Sequence, residues 1–482
     1  MPVDTPLPGH RPHPVRGSLD AHARGLCELI DAAPSPYHAA AEVTRRLVQA
    51  GFIEVLETDA WPREPGRYVV RRGGSVAAWS TAHLEADAPA STPFRVVGGH
   101  TDSPNLRISP RPDKGVLGWE ELVVEVYGGP LLNSWLDRDL GLSGRVAVRD
   151  ATVPLGVSER LVRVDEPVLR VPQLAIHLDR EANSGLALDP QRHLTPIWGA
   201  SGEAPSFHAW LAALLDVADR DVLGFEVMTH DLTPSGPLGR EGDLLAAPRL
   251  DNLGTSYAGT VALVDAVAAI ESAGGAGHIP LLVLFDHEEI GSTTSSGGDS
   301  TFLPAVLERV VLTRGGDRED HLRALAGTLV VSADMAHATH PNYAELHEPN
   351  HRITVGGGPV LKVNTRGRYA SDAPGSAAFA LACEQAGVPM QVFRSRGDMP
   401  CGSTIGPMSA ALTGATTVDV GAPMLSMHSA RELTGATDPG MYVAALTACL
   451  APHGPSPSGP RAQPSPPVTG PDDVIAPRGE LG

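Results

Sequence analysis

A chain of 482 residues is long enough for two or three domains and a substantial hydrophobic core. Its 42% hydrophobic and 19% charged residues are those of an ordinary globular protein, and its formal charge of −19 argues against nucleic acid or an anionic membrane as partner. The four cysteines, Cys27, Cys383, Cys401 and Cys449, lie far apart with no C-x-x-C pair, so neither a disulfide framework nor a zinc ribbon is expected.

The chain opens on MPVDTPLPGHRPHP, which has no apolar signal region, and no apolar run approaches the length of a membrane span. A cytoplasmic enzyme is therefore expected, with residues 1–16 disordered. Ser35-Pro36 reads as an N-cap with proline at the first helical position, opening a helix through Ala39 to Leu47. Strands are expected at Gly66–Arg72 and Phe94–His100. From about 106 to 236 the pattern is strand-like, as in Leu122–Tyr127 and Leu161–Val164, with one helix at Phe207–Val217.

After 237 strand and helix alternate. Helices are expected at Asn252–Ile270, Gly375–Ala386 and Gly440–Leu450, and strands at 279–285, Gly327–Ala333, Met390–Phe393 and Thr416–Val420. That alternation points to an α/β fold with a mixed central sheet flanked by helices. The simplest organisation is one catalytic α/β domain, 17–105 plus 237–450, carrying an inserted β-rich dimerisation domain at 106–236. The segment 451–482 holds nine prolines and few large apolar side chains, and is expected to be a disordered tail.

Five segments place metal-binding residue types at the ends of expected elements. Gly98-Gly-His-Thr-Asp-Ser-Pro104 sets His100 and Asp102 two apart, on one side of an extended segment, where a carboxylate can hold a histidine's second nitrogen. Asp251 opens an apolar helix. Glu288 and Glu289 follow the apolar strand 279–285, Asp334 follows Val330–Ala333, and His428 follows Thr416–Val420. Each has a plainer reading alone: a surface turn, an N-cap, a solvated acidic pair, a structural histidine. Together, His100, Asp251, Glu289, Asp334 and His428 suit two divalent ions about 3.5–4 Å apart, bridged by Asp251. Glu288 is then the carboxylate left over, suited to take a proton from a bridging water.

Of the 37 basic residues only Lys114 and Lys362 are lysines. Codon bias accounts for the ratio, but a lysine that survives such replacement suits a site needing a compact ammonium.

The motifs His100-Thr-Asp-Ser-Pro104, Tyr127-Gly-Gly-Pro, Leu250-Asp-Asn-Leu253, Asp286-His-Glu-Glu-Ile-Gly-Ser292, Ser332-Ala-Asp-Met-Ala-His337 and Met427-His-Ser429 occur in order. With Ala175-Ile-His-Leu-Asp-Arg180 and Pro400–Pro407 they resemble the aspartyl aminopeptidase family of dinuclear metallopeptidases, over nearly the whole chain. The resemblance implies that His100, Asp251 and Asp334 bind one zinc and Asp251, Glu289 and His428 the other, with cobalt or manganese also suited. It implies Glu288 as general base, Asp102 as the residue orienting His100, and removal of N-terminal Asp or Glu from peptides. Lys362 and Tyr369 fall where the family contacts the substrate's acidic side chain. His177 matches a residue reaching a neighbouring subunit's site, so a homododecamer built from dimers is implied. Pro130 and Asn133 depart from the family's glycine and histidine, which bears on assembly rather than on the metal centre. The alternative is a dinuclear hydrolase of other specificity, a neutral aminopeptidase or an N-acyl amino acid deacylase.

Overall fold

The computed structural model describes residues 19–200 and 205–452. The N-terminal segment 1–16 and residues 453–482 of the expected tail lie outside the described residues. A nine-stranded mixed sheet runs in the order Ile53–Glu54, Arg67–Arg72, Ser75–Ser80, Ile279–Phe285, Phe94–His100, Leu329–Ala333, Thr416–Gly421, Val360–Lys362, Gln391–Phe393. Its centre is four adjacent parallel strands, from Ile279–Phe285 to Thr416–Gly421. Strands buried on both faces favour apolar runs, though Phe94–His100 carries Arg95 and Thr416–Gly421 buries Asp419. Ile279–Phe285 is buried at every position, as its composition predicts.

One face of the sheet packs on Ala21–Ala32, Pro36–Gln49, Leu250–Ser272, Ala373–Ala386 and Asp438–Leu450. The other packs on Phe302–Thr313, with Ala324 and Ile405 contributed by Arg318–Ala326 and Ile405–Thr413. The 23-residue helix Leu250–Ser272 is apolar and long enough to cross a membrane by composition, yet most of it is buried against the sheet and Asp438–Leu450. A helix apolar all round is what a core position calls for. At Gly259 the approach is so close that a Cβ would stand 2.7 Å from Leu282 Cδ1.

A six-stranded antiparallel sheet uses strands between Asn105 and Asp231, in the order Val157–Leu169, Leu140–Arg149, Val222–Asp231, Asn105–Val116, Trp119–Tyr127, Ile197–Gly199. It has its own apolar cluster, capped by Phe207 and Leu211. A third sheet of five short strands runs from Gly236–Leu238 to Ala336–His337 and includes Glu432–Gly435.

Ser35 caps Pro36–Gln49 as expected, its side chain accepting from the His38 N–H. The helix expected over Phe207–Val217 ends at Leu214, where Val217 N–H turns back to the Ala212 carbonyl. Helices Ala21–Ala32, Phe302–Thr313, Arg318–Ala326 and Ile405–Thr413 were not expected. Phe302–Thr313 carries an internal proline, and Ile405–Thr413 is short with an apolar stripe too brief to show a period.

Candidate metal centre

The four central parallel strands end nearly level, with Phe285 paired to His100, Ser332 to Gly98 and Ala333 to Val420. Their carboxyl ends deliver His100 directly, Glu288-Glu289 three residues past Phe285, Asp334 one residue past Ala333, and the His428 loop past Gly421. Asp251 arrives from the opposite direction. Helix Leu250–Ser272 leaves helical geometry at Asp251 and Asn252, so Asp251 is not a plain N-cap. Its N–H donates to Glu432 Oε2 at 3.0 Å and its carbonyl accepts from Ser103 Oγ at 2.6 Å. Asn252 Nδ2 donates to the Ala333 carbonyl at 3.0 Å, which ties the helix start to the strand carrying Asp334.

The two histidines are held alike. His100 Nδ1 donates to the main-chain carbonyl of Asp102 at 3.0 Å, and His428 Nδ1 donates to the carbonyl of Gly129 at 2.9 Å. Each bond commits the Nδ1 proton and turns Nε2 toward the acidic cluster. The orienting group for His100 is therefore chiefly the Asp102 backbone, with the Asp102 carboxylate 3.4 Å away. That carboxylate has other work: it accepts from the N–H groups of Glu288 and Glu289, each at 3.1 Å, and from Tyr127 Oη at 2.7 Å.

His100 Nε2 lies 3.4 Å from Asp251 Oδ1 and 3.6 Å from Asp334 Oδ1. His428 Nε2 lies 3.4 Å from Asp251 Oδ2 and 3.3 Å from Glu289 Oε2. Four ligands around a zinc ion at about 2.0–2.2 Å stand roughly 3.3–3.6 Å from one another. The distances from each histidine to its two carboxylates have that spacing, and Asp251 turns Oδ1 toward His100 and Oδ2 toward His428. Asp251 Oδ1 and Glu289 Oε1 are buried without a hydrogen-bond partner, which costs free energy unless a cation satisfies them. The donor set fits a divalent metal: His100, Asp251 and Glu289 each offer a ligand atom, all within 4.8 Å of one another.

The electrostatics agree. Burial, reinforced by Asp251, raises Glu289 well above the usual carboxylate range. Burial acts against a charged His428, yet Asp251 and Glu289 outweigh it and push the imidazole up to about 10. These shifts mark an excess of negative charge that two imidazoles do not balance. Glu288 stands apart, with Oε2 4.0 Å from His100 Nε2. Burial, opposed by His100 and reinforced by Asp334, Asp102 and Asp251, pushes it up to about 8.

A cleft of about 190 Å³ adjoins these groups, lined also by Lys362, Tyr369, Ser403 and Met427. Lys362 is buried, with Nζ 3.4 Å from Asp334 Oδ2 and 5.5 Å from the centre of the Tyr369 ring. Cys401 packs against the cluster of Tyr369, Ile353 and Phe393, as a structural thiol does. His177 is exposed and does not reach this cleft in its own chain.

One residue of the site, Glu432, has no counterpart in the sequence reading. Glu432 is buried and accepts from the N–H groups of both Asp251 and His428, the latter at 2.6 Å. Its signal is a carboxylate four residues after His428, at the start of a short buried strand. Tyr127 was legible only as part of a motif.

The model of the family "Aminopeptidase I zinc metalloprotease (M18)" matches residues 29–449. A probable M18 family aminopeptidase 2 of Mycobacterium tuberculosis (strain H37Rv) is 54% identical over 436 residues, covering 90% of this chain and 98% of its own. The Streptomyces coelicolor protein of the same description is 52% identical over 435 residues, covering 89% and 98%. Among solved structures, the chain resembles one in the Ape4 and Nbr1 complex, with 34% identity, a TM-score of 0.84 and coverage of 89% and 85%. It also resembles the S. cerevisiae mApe1 dodecamer, with 26% identity, a TM-score of 0.76 and coverage of 89% and 95%. On this evidence the chain belongs to the M18 aminopeptidase I family of zinc metalloproteases.

Proposed function

We propose that this aminopeptidase releases N-terminal Asp or Glu from peptides, at a centre of two divalent ions held by His100, Asp251, Asp334, Glu289 and His428. Zinc is the family's metal, and the same donors accept cobalt or manganese. When bound, the ions supply Lewis-acid activation of a water and of the scissile carbonyl. Glu288 takes the water's proton on Oε2 and returns it to the leaving amine nitrogen. Its burial beside other carboxylates raises its proton affinity, which suits a group that must accept and then release a proton. Asp102 holds the Glu288 main chain in place.

The acidic preference rests on Lys362, a buried ammonium at the cleft. Its one ion-pair partner among the described residues is Asp334. With Asp334 committed to an ion, a substrate carboxylate completes the charge around Lys362, beside the Tyr369 ring. We assign the region 106–236 to self-association, in a dodecamer such as that of S. cerevisiae mApe1. His177, exposed on its own chain, is then assigned to a neighbouring subunit's cleft.

Initial rates on X-Ala dipeptides, with X as Asp, Glu, Leu, Ala or Lys, test the specificity. Lys362→Ala should lower kcat/KM for Asp and Glu by about 10–100-fold, as for a lost hydrogen bond to a charged group, and spare Leu and Ala. Wild-type preference for Leu or Ala, indifferent to Lys362, would sink the acidic specificity and leave the aminopeptidase. Turnover of N-acylated substrates alone would favour a deacylase.

A further inference from the structure

The six-stranded sheet does more than lie beside the metal centre. Where its strand Trp119–Tyr127 ends, the segment from Tyr127 to Ser134 runs along the site and touches it at five places. Tyr127 Oη donates to Asp102 Oδ2 at 2.7 Å, and Asp102 in turn holds the N–H groups of Glu288 and Glu289. Gly128 lies against Glu289: its φ is +72°, and a Cβ there would stand 3.1 Å from Glu289 Cβ. The Gly129 carbonyl accepts from His428 Nδ1 at 2.9 Å. Leu131 N–H donates to the His428 carbonyl at 2.9 Å, and Ser134 Oγ accepts from Ala430 N–H at 2.8 Å.

Each contact lands on Glu289, on His428 or its loop, or on the group that holds Glu288. The His428 loop needs such support, because Ser426 and His428 both have left-handed backbone, φ +58° and +67°. Non-glycine residues keep that conformation only where the surroundings over-determine it. Tyr127 is itself fixed, with the Arg107 guanidinium 3.7 Å from its ring centre.

We propose that Tyr127–Ser134 is a positioning strap, through which the inserted sheet sets the geometry of the Glu289–His428 half of the metal centre and of Glu288. Tyr127 is the positioning residue for Glu288, acting through Asp102. The Gly129 carbonyl and Ser134 do the same for His428. This rests on the assignment of Glu289 and His428 as metal ligands. It makes the sheet we assign to self-association a working part of catalysis, so that changes at its strand ends are felt as metal affinity and turnover.

Full-length Tyr127→Phe and Ser134→Ala test it, each removing one hydroxyl and keeping the packing. Three quantities are measured: kcat and KM on the preferred dipeptide, zinc stoichiometry with stepwise affinities by chelator competition, and thermal midpoint. Loss of a group that orients a ligand typically costs about 10–100-fold in affinity or activity. Tyr127→Phe should therefore lower kcat by about 10–100-fold with KM within about twofold. Ser134→Ala should weaken one of the two zinc affinities and leave the other unchanged. Wild-type kcat and wild-type affinities for both ions in both variants would overturn the strap, as would a lowered thermal midpoint with kcat per folded molecule unchanged. His428→Ala separates the two readings: if it leaves zinc stoichiometry unchanged, the ligand assignment fails, whatever Tyr127 and Ser134 do.

Discussion

At the scale of single residues, the adjacent carboxylates Glu288 and Glu289 have different surroundings. Glu289 points an oxygen to 3.3 Å from His428 Nε2 and leaves another buried without a partner, which suits a ligand. Glu288 reaches only to 4.0 Å from His100 Nε2 and its side chain is 17% exposed against 4% for Glu289, which suits a proton carrier. Glu288→Gln keeps the shape and removes the basic oxygen, so turnover should fall by about 10²–10⁴-fold while zinc content stays at the wild-type value. Metal analysis alongside initial rates checks this, and a loss of zinc would move Glu288 among the ligands. Of the residues expected from their types, spacing or motifs, His100, Asp251, Glu288, Glu289, Asp334, His428, Lys362 and Tyr369 line one cleft, and Asp102 is buried beside them. Glu432 was not legible, and Tyr127 only as part of a motif. Glu432 acts on Asp251 and His428 through main-chain N–H groups, and Tyr127 acts through Asp102. A sequence records neither kind of bond.

At the scale of elements, the site exists because four parallel strands end level and one helix starts against them. The strand Ile279–Phe285 was readable to the residue, since a short apolar run between turn residues has few other interpretations. Helix Leu250–Ser272 was also readable, but not that its first turn breaks to aim Asp251 at two histidines. Its seating depends on Gly259, where the helix backbone meets Leu282 and Val97 of the sheet. Gly259→Val adds side-chain atoms at that contact and should destabilise the fold by about 1–3 kcal/mol, as overpacking does, read as a lower denaturation midpoint. A midpoint equal to wild type would show that the helix can move off the sheet freely. The segments between Asn105 and Asp231 were legible as strands, but their pairing into one sheet, and the reach of its Tyr127–Ser134 strap, depend on contacts far apart in sequence.

At the scale of the whole molecule, residues drawn from 100 to 428 converge because the central sheet threads early and late strands side by side. Asp251 is the keystone of that convergence, with one oxygen toward His100 and the other toward His428. The most direct measurement is zinc stoichiometry of the metal-stripped protein by calorimetric titration, for wild type, Asp334→Asn, His428→Ala and Asp251→Asn. Two equivalents per chain are expected for wild type and one tight equivalent for Asp334→Asn and for His428→Ala. For Asp251→Asn both affinities should weaken together, by about 10–100-fold or more for a lost shared ligand. A single equivalent in the wild type, or two tight equivalents that survive Asp251→Asn, would contradict a dinuclear centre bridged by Asp251.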